Sequence, residues 1–508
     1  MRGNGWDQVV GEGTLLIRAD ANVAMGTGHV MRCLALGQAW QDAGGRCVFA
    51  MSASTPAVDR RLKEEGMGIE HLDVAAGRPE DAKETAYVAS KKAAEWIVVD
   101  GYQFDSEYQS AIKAAEFKLL FIDDNSQAGP YRADLVLNQN THARSSFYAK
   151  SEPSTRLLLG PRYALLRREF RGWRNWQREI PAVGRKILVT MGGSDANNLT
   201  AKVLDAFREL SRPNLETVVM VGGSNPHLCS LKASIQKESM RLITDATNVP
   251  ELMAWADVAV AGAGTTFWEM CFLGLPGILL VLAENQTHVA ETAGKMGIAC
   301  SLGNAPDVSV STIAGKLAAL LDSRDARMSQ SEKGRKLVDG RGAERVVAFL
   351  SGLELRRTVA SDCEVFWEWA NDPEARAASF NGKVISWEDH SQWFRAKLGD
   401  PQALFYTANK DGQPVGEVRY QISGKRAVLS ISLGERFRGR GWGQKILAVG
   451  AERVFQDTEV EFIDAYVKPS NQASLKLFAG AGFQRFPSEV VEGQEGVHFV
   501  LERHDRSL

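Results

Sequence analysis

Leu15-Leu-Ile-Arg-Ala-Asp20, followed by Gly26-Thr-Gly-His-Val-Met-Arg32, sets the reading of the whole chain. The first run is a short apolar strand. The second is a glycine-rich turn that opens an amphipathic helix marked by Met31, Leu34, Leu36, Ala39 and Trp40. A strand, a tight turn and a helix in that order aim unpaired backbone N–H groups at an anion. His29 stands in this turn, where many nucleotide-binding folds offer only backbone. An imidazole titrates near neutral pH and is suited to act as a general base beside a ligand's reacting atom. Capping the helix or packing beneath the loop is the other role open to it.

Working outward, strands are predicted at Leu15–Ala19, Cys47–Met51, Trp96–Asp100 and Lys118–Ile122, with helices at Val30–Ala43, Ala57–Glu65, Pro79–Lys92 and Ser106–Ala115. Such alternation builds βαβ units on a parallel sheet. The pattern restarts after the charged stretch Arg167–Arg178, with strands at Lys186–Met191, Glu216–Val221, Arg241–Thr244, Asp257–Ala261 and Gly277–Leu282. The expected architecture is α/β: two doubly wound, Rossmann-like domains over residues 14–165 and 180–350, enclosing a cleft at the carboxyl ends of their strands. Gly340–Leu353 reads as a closing helix. A third, α+β domain is expected over 355–505, with strands at Pro414–Gln421 and Ala427–Leu433.

The 508 residues exceed one ordinary core and call for two to four domains. Lys and Arg number 60 against 62 Asp and Glu, a net charge of −2 that gives no reason to bind nucleic acid or an anionic membrane. Cys33, Cys47, Cys229, Cys271, Cys300 and Cys363 form no Cys-x-x-Cys and have no His at zinc spacing, so reduced thiols and no metal are expected. Met1–Gln8 lacks an apolar signal core, and runs such as Gly277–Ala283 are too short to span a bilayer, so a cytoplasmic location is expected.

Two further turns face the expected cleft. Met191-Gly-Gly-Ser194-Asp195 follows a strand and reads as a second phosphate-type turn. Gly262-Ala-Gly264-Thr265-Thr266 meets the helix containing Glu269, where backbone N–H and hydroxyl donors suit a diphosphate. Glu269 lies about one turn in, placed to accept both hydroxyls of a ribose, or else a first-turn acid favoured by the helix dipole. Asn285 and Gln286, in Glu284-Asn-Gln-Thr-His288, follow the next strand; a solvated turn is equally open to them.

These motifs together resemble the glycosyltransferase-B class and, more closely, the UDP-sugar hydrolases of the pseudaminic acid pathway, which act on UDP-2,4-diacetamido-2,4,6-trideoxy-β-L-altropyranose. The resemblance covers roughly residues 14–350. It implies that His29 is the catalytic base and that the second domain holds UDP, through Glu269, Asn285 and Gln286, with Ser194 near the phosphates and Gly28, Gly264 and Thr265 in the binding turns. Asp20 is a candidate to orient His29 or to bind the sugar. Arg32 is a candidate for a diphosphate or sugar substituent, with a helix-surface charge as the other reading.

Near the C-terminus, Leu433 runs into Arg438-Gly439-Arg-Gly441-Trp-Gly443 at the start of a helix, and Ala465-Tyr466-Val-Lys-Pro-Ser-Asn471 leads to a helix ending at Gly482-Phe483. Both blocks resemble the GCN5-related N-acetyltransferases (GNAT), in which the glycine loop holds the pyrophosphate of coenzyme A. The resemblance implies acetyl-CoA as co-substrate, bound by Leu433, Arg438, Gly439, Gly441, Gly443 and Asn471. Phe478 stands where many of these enzymes carry a Tyr that protonates the departing thiolate; Tyr466 is a substitute donor. Glu417 and Glu435 are candidate bases, with solvated charges the expected alternative.

The combined expectation is a bifunctional nucleotide-sugar enzyme. Its GNAT half acetylates a 4-amino UDP-sugar, and its first half hydrolyses the product with inversion, yielding a precursor of a nonulosonic acid such as those on flagellin. A UDP-sugar glycosyltransferase carrying a non-catalytic GNAT-like docking domain is the alternative.

Overall fold

A computed structural model of the chain describes residues 13–503, apart from 211, 213, 224 and 236–238. The Met1–Gln8 stretch and the last two residues of the expected 355–505 domain lie outside the described residues. The chain divides into two compact units, the division falling between Glu344 and Arg345.

The first unit holds two parallel sheets. One comprises β1 (Thr14–Ala19), β2 (Arg46–Met51), β3 (Gly68–His71), β4 (Ala94–Asp100), β5 (Lys118–Ile122), β6 (Leu135–Asn138) and β7 (Arg156–Leu159), in the order β3-β2-β1-β4-β5-β6-β7. The other comprises β8 (Lys186–Thr190), β9 (Glu216–Val221), β10 (Met240–Thr244), β11 (Val258–Gly262), β12 (Gly277–Val281) and β13 (Cys300–Asn304), in the order β10-β9-β8-β11-β12-β13. Leu15, Leu16, Ile17, Val258, Ala259 and Val260 are all fully buried, as befits central strands covered by helices on both faces. In each sheet the order reverses beside its first strand, between β1 and β4 and between β8 and β11. At such a switch point neighbouring crossovers diverge and leave a crevice at the strand ends. Strands β3, β6, β7 and β13 were not expected from the sequence. They are four or five residues long; β3 and β13 are only partly buried, and the apolar runs of β6 (Leu135–Leu137) and β7 (Leu157–Leu159) are three residues each, too short to stand out.

Two buried polar features fix the frame. Arg18, fully buried on β1, donates to Asp81 at 2.8 and 2.9 Å, to Asp20 at 2.7 Å and to Ser52 at 2.6 Å. The stretch Arg167–Arg178 is a brace between the two sheets rather than a plain connector. Arg168 donates to Gln38 O at 3.1 Å, while Arg178 donates to Leu273 O at 3.1 Å and Met253 O at 2.6 Å.

In the second unit, β14 (Leu353–Arg357), β15 (Ala403–Lys410), β16 (Gln413–Ser423), β17 (Arg426–Leu433), β18 (Phe462–Val467), β19 (Gln484–Val491) and β20 (Gln494–Glu502) form one sheet in the order β14-β15-β16-β17-β18-β20-β19. The expected closing helix Gly340–Leu353 is shorter, Gly342–Leu350, and Leu353 instead opens β14 after Gly352 at φ +71°. Every pairing is antiparallel except β17 with β18, which runs parallel and covers only Arg426–Val428 against Phe462–Asp464. Beyond Val428 the two strands part, leaving unpaired backbone on both sides of the gap.

Candidate active sites

A cleft of about 940 Å³ lies between the two sheets of the first unit, lined by the Met25–Arg32 turn, Tyr102, Asp124 and Asn140 on one side and by Thr190–Asn197, Gly262–Thr266, Glu269 and Glu284–Gln286 on the other. His29, 7% exposed, is the second residue of the helix Gly28–Asp42. Its Nδ1 lies 2.7 Å from Asp100 Oδ1. Because a carboxylate only accepts, Nδ1 carries a proton toward Asp100, and Nε2 has no hydrogen-bond partner among the described residues.

Asp100 ends β4 in register with Ala19 at the end of β1, which puts the carboxylate beside the turn after β1 at the switch point. Arg32 Nε donates to Asp100 Oδ2 and Nη2 to Oδ1, both at 2.7 Å, and Nη1 donates to Asp124 Oδ1 at 2.8 Å. Burial alone would raise both carboxyls. Arg32 and His29 outweigh it and hold Asp100 and Asp124 below the usual carboxylate range. Tyr102 OH donates to Asp124 at 2.7 Å, accepts from Asn285 Nδ2 at 2.6 Å, and sets its ring edge-on to His29 at 4.9 Å. A hydrogen-bonded chain thus crosses the cleft from Asn285 to the imidazole.

Several expected residues fall elsewhere. Asp20 does not touch His29; it accepts from Arg18, from the Ser52 N–H at 2.7 Å and from the Ala53 N–H at 3.0 Å, and it is not part of the cleft wall. The carboxylate that orients the imidazole is Asp100, whose place at the end of the predicted strand Trp96–Asp100 was its visible signal. Arg32 is neither a surface charge nor free for a ligand: it is 5% exposed and committed to Asp100 and Asp124.

On the opposite wall, the helix after the Gly192–Asp195 turn is capped internally. The Leu199 and Thr200 N–H groups donate to Asp195 at 2.8 and 2.9 Å, so that helix end is not a free phosphate site. Ser194 and Gly28 nevertheless line the cleft. The helix Thr265–Phe272 differs, since its N-cap Gly264 supplies no side chain and its first-turn donors meet the cleft. Glu269 is 8% exposed, and burial pushes its carboxyl up against the opposing pull of Arg167. Arg167 donates at 3.1 and 2.7 Å to the same oxygen, Oε1. Gln286 Oε1 accepts from the Leu282 N–H at 3.0 Å, bracing the loop. The glycines here permit close approach: a Cβ on Gly193 would lie 2.2 Å from Thr27 Oγ1, and one on Gly222 would lie 2.2 Å from Gly193 O.

In the second unit, Gly439 (φ +71°) and Gly441 (φ +78°) take the left-handed conformation, and Gly441 caps the helix Trp442–Asp457 without a side chain, leaving its first N–H groups unclaimed. Gly443 faces Leu433 and Leu477 so closely that a Cβ would stand 3.3 and 3.0 Å from them. Arg438 lies in this loop, but its guanidinium donates to Asp372 at 2.7 Å, to Glu374 at 3.1 Å and to Leu433 O at 3.2 Å, and so braces the loop. Asn471 Oδ1 accepts from the Ser474 N–H at 3.0 Å as a helix cap. Tyr466 stacks on His498 at 4.8 Å; burial, then Glu489 and Asp464, raise its pKa. Phe478, 4% exposed, packs between Phe483 and Phe499 as core. Glu435 opens a short 3-10 turn. Glu417, for which solvation was the expected alternative, is instead buried at 4% exposure. Its alternation on β16 turns it away from the helix Trp442–Asp457, toward the face packed by the helices Cys363–Asn371 and Trp387–Leu398.

All six cysteines are free thiols. Among the described residues no three His, Cys, Asp or Glu side chains cluster to hold a metal, and no helix is long and apolar enough to cross a membrane.

Comparison with known proteins matches both units. Residues 186–340 fit the glycosyltransferase family 28 C-terminal domain, and residues 352–484 fit the acetyltransferase (GNAT) domain. The spore coat polysaccharide biosynthesis protein SpsG of Bacillus subtilis is 28% identical over 344 residues, 66% of this chain and 97% of that protein. The UDP-2,4-diacetamido-2,4,6-trideoxy-β-L-altropyranose hydrolase of Campylobacter jejuni is 25% identical over 286 residues, 56% of this chain and 97% of the hydrolase. An uncharacterized protein of Methanocaldococcus jannaschii is 22% identical over 488 residues, 93% of this chain and 96% of its own length. The chain is therefore a fusion: a hydrolase-homologous, glycosyltransferase-type unit followed by a GNAT unit.

Proposed function

We propose that the first unit hydrolyses a UDP-linked diacetamido sugar with inversion, and that the second transfers acetyl from acetyl-CoA to the 4-amino form of the same UDP-sugar. The observation that carries the hydrolase reading is the His29–Asp100 pair at 2.7 Å, with Nε2 left free in the cleft wall. A water held by Nε2 loses its proton to the imidazole as it attacks the anomeric carbon. Asp100 stabilises the imidazolium that forms. The leaving UDP departs as a stable anion, so one base suffices where an ordinary glycosidase needs two carboxyl groups. Thr265 and the first-turn N–H groups of its helix meet the diphosphate, and Glu269 offers Oε2 to the ribose while Arg167 holds Oε1. Attack from the His29 side, opposite UDP, inverts the centre.

In the second unit, Gly439, Gly441 and Gly443 form the cradle for the coenzyme A pyrophosphate, and the gap between β17 and β18 receives the pantetheine arm beside Leu433 and Asn471. Tyr466 is the donor to the departing thiolate. Acetylation supplies the substrate for hydrolysis, so the fusion keeps the intermediate at high local concentration.

Mass spectrometry of the 4-amino UDP-sugar incubated with the protein tests both halves. With acetyl-CoA, one acetyl group is gained and UDP is then lost. UDP release only on addition of an acceptor alcohol would make the first unit a transferase, and absence of acetyl gain would make the second a docking module. A further outcome follows from the turn packing. Gly222→Ala drives a methyl group into the Gly193 carbonyl, so UDP affinity measured by calorimetry is expected to fall about tenfold, roughly 1.4 kcal/mol.

A further inference from the structure

On the first wall of the cleft the chain leaves β6 as Asn138-Gln139-Asn140, three side chains that all end in a carboxamide. Asn138, fully buried, fastens this turn. Its Nδ2 donates to Asp124 O at 3.0 Å and to Tyr148 OH at 2.9 Å, and its Oδ1 accepts from the Asn140 N–H at 3.0 Å. Gln139 and Asn140 line the cleft, and each commits one end of its amide to the frame. Gln139 Oε1 accepts from the Leu165 N–H at 3.0 Å, so the end left over is the NH2 donor. Asn140 Nδ2 donates to Asp124 Oδ1 at 2.9 Å, and a carboxylate only accepts, so the end left over is the carbonyl acceptor. Neither Gln139 Nε2 nor Asn140 Oδ1 has a hydrogen-bond partner among the described residues, although the two side chains are only 2% and 4% exposed. Polar ends held this deep need partners, and the cleft is where one arrives. A donor and an acceptor on adjacent residues, each with its polarity fixed from behind, are the complement of a secondary amide.

We propose that Gln139 and Asn140 form a subsite for an acetamido group of the sugar, and that the group held there is the one the second unit installs; this rests on the hydrolase reading above. Gln139 Nε2 donates to the acetamido carbonyl, and the acetamido N–H donates to Asn140 Oδ1. Asp124, whose carboxylate also takes Arg32 and Tyr102, stands between this pair and His29, so the pair meets the sugar away from its anomeric carbon. The 4-amino precursor has no carbonyl to offer and carries an ammonium. It leaves Gln139 Nε2 unpaired and sets a cation against a donor. A site built to hydrogen-bond a polar group rejects an analogue without it far more strongly than an apolar pocket rejects a missing methylene. The precursor therefore survives in the presence of the hydrolase until it has been acetylated, and the order of the two reactions is set by this wall of the cleft.

The test measures kcat/KM for UDP release by the full chain on the diacetamido UDP-sugar and, with acetyl-CoA left out, on its 4-amino precursor. Gln139→Glu keeps the oxygen that takes the Leu165 N–H and turns the NH2 into a second oxygen, which repels the acetamido carbonyl and pairs with the ammonium. At about pH 8, where carboxyl groups ordinarily ionise, wild type is expected to favour the acetylated sugar by at least ~100-fold. The variant should lower that preference at least ~tenfold, losing rate on the acetylated sugar and gaining it on the amine. Each preference is a ratio of two rates from one sample, so a partly unfolded variant does not alter it. UDP affinity measured by calorimetry should be unchanged. A wild type that releases UDP equally well from both sugars, or a variant that slows both alike, overturns the proposal. The isomer with a 2-amino and a 4-acetamido group should suffer the same loss in the variant as the diacetamido sugar; if it escapes that loss, the pair holds the other acetamido group and the assignment is overturned. A wild-type protein that releases UDP from none of these sugars overturns the hydrolase reading, and the subsite with it.

Discussion

His29→Asn is expected to lower kcat for UDP release by about 10²–10⁴-fold, the range that a positioned general base contributes. The asparagine amide still reaches toward Asp100 but offers no basic nitrogen at the Nε2 position, so water in the cleft loses its proton acceptor. UDP affinity should be unchanged, because the proposed nucleotide contacts come from Thr265, Glu269 and Asn285 on the other wall. The loss therefore appears in kcat and not in KM. Acetylation of the 4-amino UDP-sugar by the same variant should proceed at the wild-type rate and fixes the amount of chain in the assay, while the unchanged UDP affinity reports that the first unit is folded. Release of UDP at a near-normal rate would remove His29 from the mechanism.

The two parallel sheets and the later mixed sheet were legible because their central strands are continuous apolar runs punctuated by glycine turns. In the first unit the strands that escaped, Gly68–His71, Leu135–Asn138, Arg156–Leu159 and Cys300–Asn304, are four or five residues long and too short to show a period, and in the second unit Ala403–Lys410, Gln484–Val491 and Gln494–Glu502 escaped as well. The site was legible wherever a motif is local. His29, Glu269 and the glycine loops each announce themselves within a few residues. Asp100 does not, because it meets His29 only through the β1–β4 register across 71 residues of sequence. Asp20 was the nearer carboxylate in sequence, yet Arg18 and the Ser52–Ala53 backbone claim it. Arg32 and Arg438 show the same limit from the other side. Each sits in a binding motif, but acids remote in sequence, Asp100 and Asp124 for one and Asp372 and Glu374 for the other, take up the guanidinium. Glu417 was misjudged by residue type alone, since its burial follows from the helices over its strand face.

Asp100→Asn should harm both chemistry and stability, and the two losses separate by pH. The side chain keeps its shape, but its NH2 is free to donate to His29 Nδ1, which selects the tautomer with the proton on Nε2 and leaves no lone pair for water. A kcat loss of about 10²–10⁴-fold is expected. Arg32, 5% exposed, loses the charge that answers two of its three carboxylate bonds, which costs about 3 kcal/mol. The sign of the pH dependence follows from the depressed Asp100 pKa. A carboxyl held lower in the folded chain than in the unfolded one contributes stability that is fully present above its unfolded value, about 3.9, and that is lost as pH falls toward the folded value. The Tm gap between wild type and Asp100→Asn should therefore be widest near pH 7 and should narrow steadily below about pH 4. Asp20→Asn provides the contrast. It breaks a buried pair with Arg18 and lowers Tm, but it lies away from the imidazole, so its kcat should stay within about threefold of wild type. Equal kcat for Asp100→Asn and wild type would reduce Asp100 to a counter-ion for Arg32 and leave the orientation of His29 to the helix that carries it.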